Sequence, residues 1–206
     1  MCRSRTFLIA AIFAAALSGC AAVRAGFVVE DLTSHPEAGG YIKGVPVVEQ
    51  ATRTCGPAAL ASVIGYYAYI RQGEPMDPGL PGEVARAVYK DKLRGTLAMD
   101  MLLYAKERGF AAEHYGGGFD DLKRKVSAGA PLILFLDLGL GRLRAGHFVV
   151  AVGYDDRLGA VVVHRGGPTE EAMTYDALER RWSRTGYSTL LIVPGDGQPP
   201  PQVPPS

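Results

Sequence analysis

The sequence predicts an α+β domain, in which a helical first half is followed by an antiparallel β-sheet. Between residues 56 and 127, apolar side chains recur at helical spacing, whereas residues 131–193 hold continuous apolar runs of strand length. Hydrophobic residues make up 48% of the 206 residues, which is enough for one core. We therefore expect one folded domain, over residues 45–193.

The helices of the first half follow from their start signals and apolar spacing. After a short extended segment at 45–48, a buried helix is predicted from Gly56 to about Ile70, because Pro57 occupies its first turn and small or apolar residues follow. A proline-containing loop spans residues 73–82. Further helices are then predicted over residues 83–89, 97–108 and 120–127.

The second half contains the predicted sheet. Apolar runs predict strands over residues 131–136, 147–154, 160–164 and 187–193. The turn residues 155–159 join the second and third of these strands as a hairpin. Residues 175–182 are predicted to form a helix before the last strand.

The N-terminus has the features of an export signal. Arg3 and Arg5 precede an apolar run at 7–17, which is too short to span a bilayer. Leu17-Ser18-Gly19-Cys20 resembles the bacterial lipobox. This predicts a signal peptide over residues 1–19, lipidation of Cys20, a membrane-anchored exported protein and a tether over residues 20–44.

The lipobox resemblance also implies a location. The residue after Cys20 is Ala21 and not Asp, which implies the periplasmic side of the outer membrane in a Gram-negative cell. The alternative is ordinary signal cleavage after Ala22 or Ala25, which would leave a free soluble protein. At the other end, residues 194–206 are proline-rich and are expected to be a disordered tail.

The composition narrows the classes of partner and site. The formal net charge is +1, so nothing favours nucleic acid as a partner. The cysteines are Cys2, Cys20 and Cys55, so Cys55 is alone within the predicted domain. The sequence lacks the cysteine and histidine spacings of a zinc site, and we expect neither a metal nor a cofactor.

Cys55 immediately precedes the predicted Gly56–Pro57 helix start. The helix dipole and the unpaired backbone N–H groups at this position favour a thiolate, which is a strong nucleophile. The Cys55 N–H and the side-chain amide of Gln50 could hold an oxyanion. The opposing interpretation is a buried and inert thiol.

A nucleophilic thiol requires a base, and four histidines are present. His147 follows a glycine at the start of an apolar strand, which would place it at an accessible rim of the sheet. His35 lies in the expected tether, His114 is expected at the surface, and His164 ends the strand that pairs with the His147 strand. A purely structural role for His147 remains the alternative.

Two segments together resemble a known family. Residues 50–60, QATRTCGPAAL, and residues 146–155, GHFVVAVGYD, resemble the two catalytic segments of C39-like peptidases, which are papain-like cysteine peptidases that process bacteriocin leaders. The segments around residues 95–97, 130–133 and 173–182 also match in order. Within that family the chain looks most like the stand-alone lipoprotein members.

The resemblance implies a papain-like fold and a set of catalytic roles. Cys55 would attack the scissile carbonyl of a peptide or protein substrate, His147 would act as the base, and Gln50 with the Cys55 N–H would hold the oxyanion. The family usually adds Asp or Asn sixteen or seventeen residues after the histidine. Here Val163 and His164 stand there. His164 or a backbone carbonyl could therefore orient the imidazole.

Two other functions are also compatible with the sequence. The missing Asp or Asn permits a weakly active or inactive binding lipoprotein with the same fold. Thioester chemistry also permits an acyltransferase or amidase. The loops at 73–82 and 139–145 show no charge pattern that would identify a substrate.

Overall fold

The computed structural model describes residues 23–50, 54–140 and 143–195. Its main helices are α1 (Ala25–Ser34), α2 (Cys55–Gln72), α3 (Leu80–Val88), α4 (Ala98–Glu107), α5 (Phe119–Ser127) and α6 (Tyr175–Trp182). Its strands are β1 (Gly39–Tyr41), β2 (Tyr89–Lys90), β3 (Gly95–Thr96), β4 (Phe110–Gly116), β5 (Leu132–Asp137), β6 (Gly146–Asp155), β7 (Ala160–His164), β8 (Glu171–Thr174) and β9 (Ser188–Pro194). The predicted α+β class, with helices packed on an antiparallel sheet, is confirmed.

The large sheet is antiparallel and has the order β4-β9-β5-β6-β7-β8. Strand β6 lies near its centre and pairs with β5 over residues 146–151 and with β7 over residues 150–155. Beyond the end of β5, β1 continues along the same edge of β6. The two ends of β6 are therefore held by different neighbours.

Helix α2 packs against β6 and joins the two halves of the domain. Residues 56–67 of this helix are all buried, so it is apolar on every side, as expected of a central helix. Its partner strand is almost continuously buried over residues 148–153. This packing brings the N-terminal turn of α2 close to Phe148 and Val150 in the first half of β6.

Residues 23–44, expected to be part of a tether, are folded instead. The side chains of Val28 and Leu32 in α1 are buried, and Asp31 is ion-paired to Arg157 in the β6–β7 turn. Strand β1 then pairs with Gly153–Asp155 of β6. The small residues of this segment pack closely against the sheet, and the apolar spacing of Val28 and Leu32 was a helix signal that the tether prediction passed over.

The other expected elements are present, with ends that differ by a few residues. Helix α2 begins at Cys55, α3 begins at Leu80, and β9 continues through Pro194, where the tail was expected to begin. The short strands β1, β2 and β3 were not predicted, and neither were β4 and β8. Strands β4 and β8 lie at edges of the large sheet, where half-exposed side chains replace apolar runs.

The predicted signal peptide, the lipidation site Cys20 and the greater part of the proline-rich tail lie outside the described residues. Among the residues that the structure describes, none of the helices combines the length and apolar character needed to cross a membrane.

Candidate active site

Cys55 is the first residue of α2 and is partly exposed. The first backbone hydrogen bond of this helix runs from the Ala58 N–H to the Thr54 carbonyl, at 3.0 Å. Pro57 has no N–H, so Cys55 and Gly56 provide the donors of the first turn that have no acceptor within the helix. Cys55 therefore stands at the positive end of the α2 dipole.

Gly56 is required for packing. A Cβ atom at this position would lie 2.8 Å from the Thr96 Cβ and 3.3 Å from the Met101 sulfur. The side of Gly56 that would carry a side chain is therefore covered by β3 and α4. This close contact fixes the start of α2, and with it the position of Cys55.

Gln50 is held by the loop that follows β7. Its backbone N–H donates to the Gly166 carbonyl at 3.1 Å, and its side-chain Nε2 donates to the Arg165 carbonyl. Gly166 has a φ of +91°, and a Cβ on it would overlap the Gln50 side chain. A glycine at 166 is therefore needed both for this backbone conformation and for the Gln50 position.

His147 is the second residue of β6 and pairs with Leu136 of β5. Its Nε2 lies 3.1 Å from the Arg165 carbonyl oxygen. Because a carbonyl only accepts, Nε2 carries the proton, and the neutral ring keeps its lone pair on Nδ1. Burial lowers the pKa of His147 below 6.5, although the hydrogen bond to the Arg165 carbonyl partly opposes this effect.

The turn that leads into His147 is fastened by Asp137. One carboxylate oxygen accepts from the backbone N–H groups of Gly139 and Ala145, each at 3.0 Å, and the other accepts from Arg144 at 2.7 Å. The two backbone hydrogen bonds and Arg144 lower the pKa of Asp137 to about 2. The carboxylate is therefore ionised at neutral pH and fixes the start of β6.

The Arg165 carbonyl is the common acceptor of Gln50 and His147. Gln50 and Cys55 in turn line one small cavity of about 10 Å³, close to the space that one water molecule needs. The remaining lining residues come from the segment before α2, from the first turns of α2, from β6, and from the end of β7 with the loop after it: Val48, Ala58, Ala59, Ser62, Phe148, Val150, His164 and Gly166. Gln50 thus connects the cysteine cavity to the histidine.

His164, the expected candidate for orienting His147, has other partners. Its Nε2 lies 3.1 Å from a Glu170 carboxylate oxygen, and its Nδ1 lies 3.5 Å from the Ser62 hydroxyl. As a neighbour of Val150 in the β6–β7 register, it lies further along the sheet than His147. The backbone carbonyl, which was the other possibility, is the acceptor that the structure places against His147.

The other histidines lie apart from this cluster. His114 is exposed on β4 and contacts the Ser188 hydroxyl at 2.8 Å, while His35 follows α1 beside Asp31. Across the described ranges, no three His, Cys, Asp or Glu side chains meet as a metal-binding group.

Known proteins resemble this chain both in sequence and in fold. Residues 42–190 match the model of the Peptidase_C39-like family. The peptidase domain of Streptococcus ComA, a bifunctional ABC transporter involved in quorum sensing, superposes with a TM-score of 0.56 and 23% identity, over 73% of this chain and 99% of that domain.

Two further solved structures have a similar fold. A C39-like peptidase from Bacillus anthracis gives a TM-score of 0.57 at 16% identity, over 75% of this chain and 96% of its own. Xylellain, a cysteine protease from Xylella fastidiosa, gives 0.54 at 14% identity, over 75% of this chain and 85% of its own. No curated protein matches the sequence.

Proposed function

Because the chain belongs to the Peptidase_C39-like family, we propose that it is a cysteine peptidase that hydrolyses peptide bonds through a thioester on Cys55. One observation carries the proposal. Gln50 shares a cavity with Cys55 and shares a carbonyl acceptor with His147. Gln50 therefore relates the proposed nucleophile to the proposed base, through a common cavity on one side and a common acceptor on the other.

In the proposed reaction, Nδ1 of neutral His147 takes the proton of the Cys55 thiol, and the sulfur attacks the scissile carbonyl carbon. The C–N bond then breaks, and the imidazolium returns the proton to the leaving amine. Water attacks the thioester in the same manner, releases the carboxylic acid product and restores the thiol. Each step uses the lone pair or the proton at Nδ1.

The oxyanion formed in both steps requires donors beside the sulfur. The first-turn N–H of Cys55 supplies one. A carboxamide nitrogen carries two hydrogens, so Gln50 can donate one to the Arg165 carbonyl and keep the other for the substrate oxygen. Gln50 would then stabilise the oxyanion while its own position is fixed.

The Arg165 carbonyl would orient His147 in place of the usual Asp or Asn. It holds the Nε2–H tautomer and accepts a charge-assisted hydrogen bond once the ring is protonated, which contributes about 1.5–3 kcal/mol. A neutral carbonyl stabilises an imidazolium less than a carboxylate does. We therefore propose an active enzyme whose thiolate–imidazolium pair is less favoured than that of relatives with an acid.

The lipobox-like segment supports a second part of the proposal, which is that Cys20 is lipidated and anchors the enzyme at a membrane surface outside the cytoplasm. Metabolic incorporation of palmitate into the chain, and its loss in Cys20→Ala, would test this anchor. Unchanged incorporation in the variant would contradict it.

The activity itself is tested by incubating the full chain with a peptide library and identifying new termini by mass spectrometry. The library should include double-glycine peptides, since one structural neighbour is a double glycine motif protease in complex with a leader peptide. We expect cleavage by the wild type, none by Cys55→Ala, and at least a 100-fold loss in His147→Ala, at the lower end of what general base catalysis contributes, about 10²–10⁴-fold.

The same incubation separates the alternatives if a primary amine is present. Incorporation of the amine without new termini would indicate acyl transfer. Specific peptide binding without any turnover would indicate a binding protein that retains the peptidase fold. Either result would contradict the proposed hydrolysis.

A further inference from the structure

The loop at residues 165–170, between β7 and β8, supplies the carbonyl that holds His147. Both of its ends are fastened. His164, the last residue of β7, contacts Glu170 at 3.1 Å, and the Arg165 guanidinium contacts the Glu171 carboxylate at 2.7 Å. A backbone carbonyl has no side chain to anchor it, so its position depends on how its loop is closed.

Glu170 closes this loop from within. Its side chain is 22% exposed, and that of His164 is 4% exposed. The Tyr41 hydroxyl lies 2.9 and 3.0 Å from the two Glu170 oxygens. Burial raises the pKa of Glu170, but the hydrogen bonds from His164 and Tyr41 outweigh burial and leave the pKa below its ordinary value. Glu170 is therefore a largely buried carboxylate with a partner on each side.

The contact between Tyr41 and Glu170 depends on the absence of a side chain at Gly153. Tyr41 pairs with Gly153 in the β1–β6 ladder, and a Cβ on Gly153 would lie 3.0 Å from the Tyr41 ring. The ring can thus pass over β6 towards the β7–β8 loop. Buried polar groups whose hydrogen bonds are all made are held rigidly, and Glu170 is in such a position between Tyr41 and His164.

From His164, contacts continue through Ser62 to Pro46, in the segment that carries Gln50. The Ser62 hydroxyl of α2 lies 3.5 Å from His164 Nδ1 and donates to the Pro46 carbonyl at 2.6 Å. Because its proton points to Pro46 and it is 1% exposed, Ser62 is not a second nucleophile. The Ser62–His164–Glu170 series is a support between α2, β7 and the loop.

We propose that Glu170 is a positioning residue for catalysis: through buried His164 and the closed 165–170 loop, it holds the Arg165 carbonyl where it orients His147. This inference rests on the proposed function. Without Glu170, the loop would lose its internal fastening, and the imidazolium formed next to the Cys55 thiolate would lose its acceptor.

The test measures the rate of Cys55 alkylation by iodoacetamide in the full chain between pH 5 and pH 10, followed on the Cys55 peptide by mass spectrometry. Only the thiolate reacts. Loss of the acceptor should move the rate profile of Glu170→Ala upward by about one pH unit, which is about a tenfold slower reaction near pH 7. The rate at pH 10 should remain that of the wild type. Glu170→Gln keeps the shape and part of the hydrogen bonding, so its shift should be smaller.

The matched control is Asp31→Ala. Asp31 is also a buried carboxylate in an ion pair, with Arg157, but it lies at α1. The Asp31→Ala substitution should lower the melting temperature and leave the pH profile of Cys55 alkylation unchanged. Equal shifts in the Asp31 and Glu170 variants, or an unshifted profile in both Glu170 variants, would overturn the positioning role.

Failure of the proposed function gives a different result. If His147→Ala leaves the profile of the wild type unchanged, Cys55 and His147 do not act together, and the peptidase proposal fails with the positioning role. If His147→Ala shifts the profile and the Glu170 variants do not, the positioning role alone fails.

Discussion

The backbone of residues 165–166 holds two side chains of the candidate site, Gln50 and His147, in place. The Arg165 carbonyl accepts from both Gln50 and His147, and the next residue adopts a left-handed conformation directly beneath the Gln50 side chain. Two catalytic candidates therefore depend on one glycine, Gly166, which takes no part in the chemistry itself.

Gly166→Ala should damage both stability and activity. The positive φ costs about 1–3 kcal/mol in a non-glycine residue. The new methyl group also displaces Gln50, so peptide cleavage should fall by about 10²–10³-fold, as expected for loss of one oxyanion donor. Steady-state cleavage and thermal unfolding measure the two effects.

Gly73→Ala is the matched control for this prediction. Gly73 has a φ of +73°, and a Cβ there would meet nothing within 4 Å. Gly73→Ala should lower the thermal stability through backbone strain and leave the rate of peptide cleavage unchanged. Equal cleavage by the two variants would show that Gln50 is not held as described.

The sequence was sufficient to predict Gln50, Cys55 and His147 as candidates, because each lies in a segment whose neighbours restrict its role. It was not sufficient to identify the Arg165 carbonyl. Every residue has a carbonyl, and only the folded loop determines which one faces an imidazole. Gly166-Gly167, which follow Arg165, were the nearest available signal of an unusual backbone.

Among the secondary-structure elements, α1 differs most from the prediction, which placed a tether over residues 20–44. Its Val28 side chain is fully buried, whereas Phe27, one residue earlier, is 55% exposed. The helix therefore belongs to the domain core along one face. The strongly apolar α2 and β6 were predicted well because burial on all sides leaves a continuous pattern, which α1 and the edge strands lack.

Val28→Ala should destabilise the domain by about 2 kcal/mol, from the lost methyl groups and the cavity left behind. Phe27→Ala, on the exposed face of the same helix, should change the free energy of unfolding much less. Urea unfolding of both variants provides the comparison. A neutral Val28→Ala would mean that residues 25–34 are the tether that the composition suggested.

For the whole molecule, the essential feature is that α2 from the first half meets β6 from the second. This packing determines whether the thiol and the imidazole form a catalytic pair. The small cavity at Cys55 lies between these two elements, so the candidate active site is formed at the domain's central interface.

The most direct test of this pairing is an NMR titration of the His147 imidazole in the wild type and in Cys55→Ala, with the resonance assigned by a His147→Gln variant. In Cys55→Ala, burial should keep the pKa of His147 below 6.5. In the wild type, a neighbouring thiolate favours the protonated ring and should raise the apparent pKa of His147 clearly above that of the variant. Identical His147 titration curves in the two proteins would contradict the account.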